Sequence, residues 1–385
     1  MIAFKLAYKN LLGAGLRTWL NVSVLSLAFV LIIFYNAMID GWNRQGRNDT
    51  QNWEIAQGQY WHPEYDKYDV YTINDAHQAL INPIQKHVDA GRMVPELLQQ
   101  ASIYPQGRMQ SIILRGIPSE QSVLKLPTHL LKSDSEELIA LIGKRMAKAS
   151  KLKLNDTVLL RWRDKNGTFD AAEMRIGGIF NCDVAEIDNG QIYISYALMQ
   201  NMMGLSNEAT LLVDKLGMGE QFSDWDFKSP SFLLKELDEL INSERISGMV
   251  MQLILLLIAL LAIFDTQILA IFRRKKEIGT YIALGLTRQQ VVRVFTIEGG
   301  MHSVLAALLG AVYGIPLFMW IDSVGINFGS ADMGITIAER VYPYYSLQLV
   351  LITIVVVVVS STIVSFIPAR KIARMKPTDA LKGKM

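Results

Sequence analysis

Four stretches of this chain are long and apolar enough to cross a lipid bilayer: Thr18–Ile39, Met249–Phe272, Ile297–Ile321 and Leu347–Ile367. None of them holds a lysine or an arginine. A crossing takes about 20 helical residues. Backbone placed in hydrocarbon must satisfy its own hydrogen bonds, so stretches of this kind are read as helices. The balance of the chain agrees: 385 residues, 51% hydrophobic, with a mean hydropathy of +0.22, is more apolar than a soluble protein of that length.

Charge gives the expected topology. The short segments Met1–Arg17, Arg273–Arg293 and Pro368–Met385 flank the spans and carry about 15 basic residues against two acidic ones, Glu277 and Asp379. Between the first two spans, Gly41–Gly248 runs for about 208 residues with roughly 22 basic and 28 acidic residues. Both termini and the Arg273 segment are therefore expected in the cytoplasm and the large segment outside. The basic flank of the first span (Lys5, Lys9, Arg17) suits a signal peptide as well as an anchor. Its apolar run is too long for a signal h-region, however, and no small-x-small site follows Phe34-Tyr35-Asn36-Ala37, so an uncleaved anchor is expected. Met1–Arg17 alternates basic and apolar residues, the pattern of a helix lying in the headgroup region.

The outer segment reads as a mixed α+β domain. Helices are expected at Ala76–Ala90 and Ser133–Lys151, the latter opening with a capping-box spacing at Ser133–Glu136. Strands are expected at Ser111–Arg115, Thr157–Arg163, Thr168–Ile176 and Gln191–Ser195, with Asn166-Gly167 turning a hairpin over Thr157–Ile179. About 200 residues bury a core without disulfides. The lone Cys182 excludes an internal disulfide framework and a cysteine metal site within one chain. Phe232–Arg245 has helical period and leads into the second span.

Motifs exclude more than they assign. No G-x-x-x-x-G-K-[ST] is present, so nucleotide-driven work needs a partner chain. The five histidines are dispersed without metal-ligand spacing, and no nucleophile, base or metal set assembles, so no catalytic, cofactor-binding or metal residues are assigned. Asp183, Glu186 and Asp188 lie close together and read as a solvated turn rather than a Ca²⁺ site. Nothing points to nucleic acid. Asp265 lies inside the second span, where a carboxylate is costly; a structural interhelical hydrogen bond is expected for it before proton coupling. Ala306, Gly310 and Gly314 form a small-residue stripe for close helix packing within or between subunits, and Pro316 is expected to kink the outer end of that span.

The stretch Arg273–Glu298 is the most informative. Helix is expected to run on from the second span to about Leu284, with Gly285 permitting a turn and Thr287 capping a new amphipathic helix through Gln290. On spacing alone the same stretch fits an ordinary basic loop binding anionic headgroups.

Here the chain resembles a known family. Glu277-Ile278-Gly279, Ala283-Leu284-Gly285 and Glu298-Gly299 are similar to the REIG…ALGA…EG core of FtsX-like, MacB-type ABC transporter permeases. Pro368-Ala369 through Ala380-Leu381 is similar to their PAxxAAxxxPxxAL ending, and Ala7-Tyr8-Lys9-Asn10-Leu11 to their opening. Departures are Lys276 for the usual Arg, Leu286 for Ala, and Asp265 where MacB-type members commonly have Asn. In the outer segment, Tyr60–Pro63, Ile113–Ile117, Ile142–Ala147, Asn155-Asp156 and Gly177–Phe180 look most like the lipoprotein-releasing (Lol) subgroup.

The resemblance implies an α-helical membrane protein with four transmembrane helices and a large α+β extracytoplasmic domain inserted between the first and second. Residues 1–40 would form the N-terminal helix and first span, 41–248 the outer domain with helical stalks, and 249–385 the FtsX-like core with coupling segment 273–298 and a basic tail. It implies a bacterial inner-membrane permease that works by mechanotransmission, beneath which a separate ATPase dimer holds the ATP and Mg. A second permease chain, identical or homologous, would complete the assembly. ATPase coupling would fall to Lys276, Glu277, Gly279, Thr280, Gly285, Thr287, Arg288 and Gln289. The function implied first is release of lipoproteins from the outer leaflet toward a periplasmic chaperone, with Phe34, Tyr35, Met38, Met249, Val250 and Met251 lining an amphiphile cavity. Plain lipid contact is the alternative for each of these six. MacB-like extrusion of peptides or drugs with an outer-membrane partner, and FtsX-like control of a cell-wall hydrolase without transport, remain alternatives.

Overall fold

The computed structural model describes residues 15–132, 137–283, 285–327 and 340–373; for residues 16, 17, 185, 275, 276, 281, 283 and 371–373 it describes the backbone alone. The expected surface helix at the N-terminus up to residue 14, the capping box at Ser133–Glu136, Leu284 and the tail beyond Ala373 lie outside the described residues. The chain divides into two compact units. A helical unit takes Met1–Trp42, Ile241–Ile326 and Tyr342–Met385, and a sheet unit takes Asn43–Leu240 and Asn327–Val341.

Helix α1 (Leu16–Thr50) opens the described chain and ends in a single π turn, Gln51–Ile55. The sheet unit follows with strands β1 (Gln59–Trp61), β2 (Gln78–Ala79), β3 (Met93–Ile103), β4 (Gln110–Ile117), β5 (Ile139–Gly143), β6 (Thr157–Arg163), β7 (Phe169–Phe180), β8 (Gln191–Ser195), β9 (Glu208–Ala209), β10 (Leu211–Asp214) and β11 (Asp226–Lys228). Its helices are α2 (Asn82–Asp89), α3 (Lys144–Ser150), α4 (Ala185–Asp188), α5 (Tyr196–Met203) and α6 (Pro230–Leu233).

The main sheet has the order β11-β1-β10-β3-β4-β8-β5-β7-β6, and β6 pairs back onto β3 through Ala101↔Trp162 and Ile103↔Leu160. Six strands, β3-β4-β8-β5-β7-β6, thus close on themselves, which removes their free edges. Alternate residues of a strand share a face. One face of all six feeds a single core, with Ala101 and Ile103, Ile112 and Leu114, Ile192 and Ile194, Ala140 and Ile142, Met174 and Ile176, and Val158, Leu160 and Trp162. The first half of β3 leaves this ring and pairs with β10, joining it to the strands β1 and β11. The β6–β7 hairpin matches expectation: Thr157↔Arg175 to Arg163↔Phe169 are in register, and Gly167 turns at φ 84° while the Asp164 carboxylate accepts from Asn166 and Thr168 backbone amides.

Two expected helices are shorter than read. Within Ala76–Ala90 the helix starts at Asn82, because Pro83 occupies its first turn, and Gln78–Ala79 is strand. Within Ser133–Lys151, Ile139–Gly143 is a fully buried strand and the helix starts at Lys144. Strand β3, which the ring shares with the β10-β1-β11 extension, carries Pro95, Glu96, Gln99 and Gln100 and gave no strand signal.

The helical unit is completed by α7 (Lys235–Arg273), α8 (Lys275–Ala283), α9 (Arg288–Val324) and α10 (Leu347–Ala373). Helices α1, α7, α9 and α10 are long and apolar enough to cross a membrane. Just over half of the α1 window is buried (56%) against 17–22% for the others, so α1 is the hub of the unit. Val22, Leu25, Ala28 and Phe29 of α1 meet Ala259 and Ile263 of α7, Ala306 of α9 and Val357 of α10.

The stripe Ala306, Gly310, Gly314 is buried and packs within the chain, Gly310 on Ser26 and Val30, Gly314 on Val30, with Ser26 Oγ donating to Tyr313 Oη at 3.0 Å. Helix α7 runs through Ser247-Gly248 without a break, and a Cβ at Gly248 would collide with the Tyr35 ring. Helix α9 likewise runs through Pro316 to Val324.

Candidate coupling site

Helix α7 does not run unbroken to Leu284. It ends at Arg273, and α8 begins at Lys275 after the single turn residue Arg274. Backbone hydrogen bonds bridge that residue on both sides, Arg274 N–H to Ala270 O at 3.1 Å and Ile278 N–H to Arg274 O at 2.9 Å, so helical bonding persists through the joint. Gly285 then turns the chain with φ +97°, a conformation L side chains rarely adopt. Thr287 and Gln290 close the expected capping box: Thr287 Oγ1 accepts from Gln290 N–H at 3.3 Å and Gln290 Oε1 accepts from Thr287 N–H at 2.8 Å.

Beneath this elbow sits one apolar cluster. Ile271 of α7, Ile278 of α8, Val291 and Phe295 of α9 and Ala369 of α10 are all buried, with Ile282, Leu286 and Val292 against them. Arg274 Nη1 donates to Glu298 Oε2 at 3.3 Å, and its Nε lies 3.9 Å from Glu277 Oε2. Glu298 is nearly enclosed, and its backbone carbonyl accepts from His302 Nδ1 at 2.8 Å, which fixes the proton on that nitrogen. At the next residue, a Cβ at Gly299 would collide with Ser365 Oγ, so α9 and α10 pack backbone to side chain there. The motif residues Glu298, Gly299 and Ala369 are thus packing and anchoring positions.

The surface of the elbow is polar. Glu277, Thr280, Gly285, Thr287, Arg288 and Gln289 are exposed, Gly279 is buried, and the side chain of Lys276 lies outside the described residues. The arrangement can present a fixed polar ridge, anchored by a nearly buried ion pair, to something that docks.

Of the six residues expected around an amphiphile cavity, Met249, Val250 and Met251 are exposed while Phe34, Tyr35 and Met38 are half-buried. Three consecutive helical positions span about 200° of arc, so the first three cannot all face Tyr35. What ties α1 to α7 at this level was not read from the sequence: the Tyr35 ring over Gly248, Tyr35 Oη donating to Glu244 O at 3.1 Å, and Arg245 Nη2 to Asp40 Oδ1 at 2.5 Å.

Asp265 departs from expectation. Its side chain is exposed on the helical unit, and no partner for it is found among the described residues. The interhelical polar contact falls one residue on, where Thr266 Oγ1 donates to Asn21 Oδ1 at 3.2 Å.

The sheet unit holds its own charged cluster. Arg115 of β4 donates through Nε to Glu96 Oε2 at 2.9 Å and through Nη1 to Gln191 Oε1 at 3.1 Å, with Glu54 of the π turn 3.6 Å away. Burial pulls the Arg115 proton affinity down, but Glu96, Tyr193 and Glu54 outweigh it and the net shift is up. Lys67 bridges Glu186 at 3.2 Å and Glu236 at 3.5 Å; burial lowers its pKa, and the carboxylates of Glu186, Glu54 and Glu236 more than reverse this. Asp188 is buried and accepts from Arg145 N–H at 3.2 Å. The Asp183–Asp188 segment is therefore not a plain solvated turn, because two of its three carboxylates are engaged in ion pairs. Among the described residues no group of three or more His, Cys, Asp or Glu side chains is placed to hold a metal ion.

Residues 249–377 match the family model described as FtsX-like permease C-terminal. Together with the relatives below, that match supports an ABC transporter permease of the FtsX/MacB type, and the four apolar helices indicate a multi-pass membrane protein. Its relatives include the lipoprotein-releasing system transmembrane protein LolC of Xylella fastidiosa, 23% identical over 308 residues that cover 71% of this chain and 74% of that protein. An uncharacterized ABC transporter permease of Methanocaldococcus jannaschii is 25% identical over 44% of this chain and 41% of its own length. The macrolide export ATP-binding/permease protein MacB of Wolinella succinogenes is 25% identical over 41% of this chain and 22% of its own length. Among solved structures, the periplasmic region of MacB from Actinobacillus actinomycetemcomitans covers 48% of this chain and 94% of that chain, at 10% identity and a TM-score of 0.31.

Proposed function

We propose that this permease converts ATP hydrolysis in a separate cytoplasmic ATPase dimer into movement of its outer domain, and that its work is the release of lipoproteins from the outer leaflet of the bacterial inner membrane. The carrying observation is the elbow itself: an exposed ridge of Glu277, Thr280, Thr287, Arg288 and Gln289 fixed over an apolar cluster and the Arg274–Glu298 pair. Such a ridge can receive force, because the parts beneath it are packed and cannot yield independently. ATP and Mg belong to the partner in this reading. The sheet unit stands in the periplasm, both termini stand in the cytoplasm, and a second permease chain completes the assembly. The relative with the larger shared length is named for lipoprotein release, which favours that cargo over extrusion of peptides or drugs and over control of a cell-wall hydrolase.

The test is depletion of the protein followed by separation of inner and outer membranes. Retention of lipoproteins in the inner membrane is the expected outcome; unchanged sorting in a strain without a redundant permease removes the cargo assignment. Replacing Glu277 and Arg288 together with Ala should abolish ATPase docking, read by co-purification. Intact docking in that variant would remove the coupling assignment and leave the cargo question separate.

A further inference from the structure

The apolar run of α9 ends at Ile321, and Asp322 is the first charged residue beyond it, in the last turn of the helix. A helix C-terminus already carries partial negative charge, and cations are the side chains that suit it. Here the last turn holds a carboxylate and no base. Asp322 is exposed, and among the described residues no cation pairs with it. The one base between it and Tyr345 is Arg340, which belongs to the sheet unit.

The surroundings of Asp322 are aromatic. Phe318 lies one turn earlier on the same face of α9 and stacks on Tyr345, ring centres 4.5 Å apart. One turn later the Tyr342 ring lies against Gly325, where a Cβ would stand 2.9 Å from it. Asp322 therefore sits between two tyrosine rings carried by the segment that leads into α10. Tyr344 N–H donates to Ala37 O at 2.8 Å and pins that segment to α1. The Tyr345 hydroxyl oxygen is enclosed and meets no hydrogen-bonding group among the described residues. Burial and the nearby Asp322 charge push this phenol up to about 12, so it keeps its proton at neutral pH.

Tyrosines at the end of a span are ordinary interfacial anchors. That role explains the rings but not a carboxylate set among them. The corner collects a carboxylate, the negative end of a helix, two ring faces and a phenol oxygen able to accept. All of these attract a cation, and the two oxygen acceptors favour one with N–H donors.

We propose that this corner binds the primary ammonium of a lipid headgroup, as in phosphatidylethanolamine. The ammonium donates to the Asp322 carboxylate and to Tyr345 Oη while lying beside the Tyr342 and Tyr345 rings. The Tyr345 O–H is left for the phosphate that follows in the same headgroup. The source is a lipid because the corner joins the ends of two helices apolar enough to cross a membrane, at the depth of headgroups rather than of hydrocarbon. The site goes beyond the coupling and cargo readings and needs only that α9 and α10 cross the bilayer.

The experiment titrates the full chain in detergent with dioleoyl phosphatidylethanolamine, phosphatidylcholine or phosphatidylglycerol and reads bound lipid by native mass spectrometry. The choline headgroup has no N–H to donate and the glycerol headgroup no cation, so wild type should bind the ethanolamine lipid about tenfold more tightly than either. Asp322→Asn should cut that preference by about tenfold, the worth of one charge-assisted hydrogen bond, and Tyr345→Phe by about threefold. Asp265→Asn, which removes another exposed carboxylate of the helical unit, should leave it unchanged. Thermal midpoints check that these near-isosteric variants are folded.

Equal binding of the lipids, or a preference that survives both Asp322→Asn and Tyr345→Phe, overturns the site. An equal loss in Asp265→Asn also overturns it, since bulk negative charge would then account for the binding. Choline lipid held as tightly as ethanolamine lipid overturns the hydrogen-bonded ammonium. Displacement of the lipid by millimolar ethanolamine phosphate assigns the corner to a free amine and overturns the lipid source. None of these outcomes touches ATPase docking or lipoprotein sorting, so the site and the proposed function fail separately.

Discussion

In the sheet unit Arg115 is enclosed on every side. Glu96 and Glu54 supply charge, Gln191 accepts a further hydrogen bond, and the guanidinium lies 5.7 Å from the Tyr193 ring centre. In the helical unit Arg274 also pairs with a buried glutamate, Glu298, but a fifth of its side chain stays accessible and its second acid, Glu277, is 61% exposed. The first arrangement is closed: any movement of a member strands a charge in the core. The second is half open, with Glu277 on its exposed side.

The contrast should appear first in stability. Arg115→Ala leaves Glu96 and Glu54 buried without their cation and should destabilise the sheet unit by about 3–5 kcal/mol. Urea unfolding followed by protection from protease checks it. The double variant with Glu96→Ala should cost less than the two single changes added together, as expected for members of one network. Additivity would show that Arg115 is held by packing alone.

Arg274→Ala should cost the helical unit about 1–3 kcal/mol, through loss of its charge-assisted hydrogen bond to the nearly enclosed Glu298. Thermal unfolding of the full chain in detergent measures it. The comparison sharpens if the same variant keeps its ATPase partner bound yet loses coupled hydrolysis, and it breaks if Arg274→Ala proves as damaging to stability as Arg115→Ala. Gly285→Ala should be milder. No atom lies within 4 Å of its missing Cβ, so the cost is the backbone strain at φ +97° alone, about 1–2 kcal/mol, localised to the elbow and visible as faster amide exchange there.

The two regions also differ in how far they could be read in advance. The helical unit was legible because hydropathy and end charge both act on windows of 20 residues, and because a Thr-x-x-Gln box and one glycine set the elbow locally. Its partners in three dimensions were not: Gly299 against Ser365 and Gly248 against Tyr35 join residues far apart in sequence, and no local pattern encodes that. Asp265 misled for the same reason, since the polar contact to α1 is made by its neighbour Thr266. In the sheet unit the strands β6 and β7 were visible because buried and exposed positions alternate along much of their length. Strand β3 was hidden because Glu96 and Gln99 point into networks, so the usual polar-means-exposed rule failed. Strand β5 was hidden because it is buried on both faces, where periodicity cannot separate strand from helix.

Asp188 tests the closed arrangement most finely. Burial pushes its carboxyl up to about 6, against the hydrogen bond and charge of Arg145 that favour the anion. Its ordinary value is near 4, so between about pH 4 and 6 the folded chain holds more of this proton than the unfolded chain does. The contribution to stability is therefore full below about pH 4 and is lost as pH rises through about 6. Asp188→Asn cannot titrate. Relative to that variant, the wild type should lose stability between about pH 4.5 and 7.5, by an amount on the order of 1–2 kcal/mol. Unfolding transitions of both proteins at the two pH values give the difference, and titrating groups common to both cancel. If the wild type instead gains on the variant as pH rises, the Arg145 ion pair outweighs burial, and even this half-compensated acid belongs with the enclosed charges around Arg115.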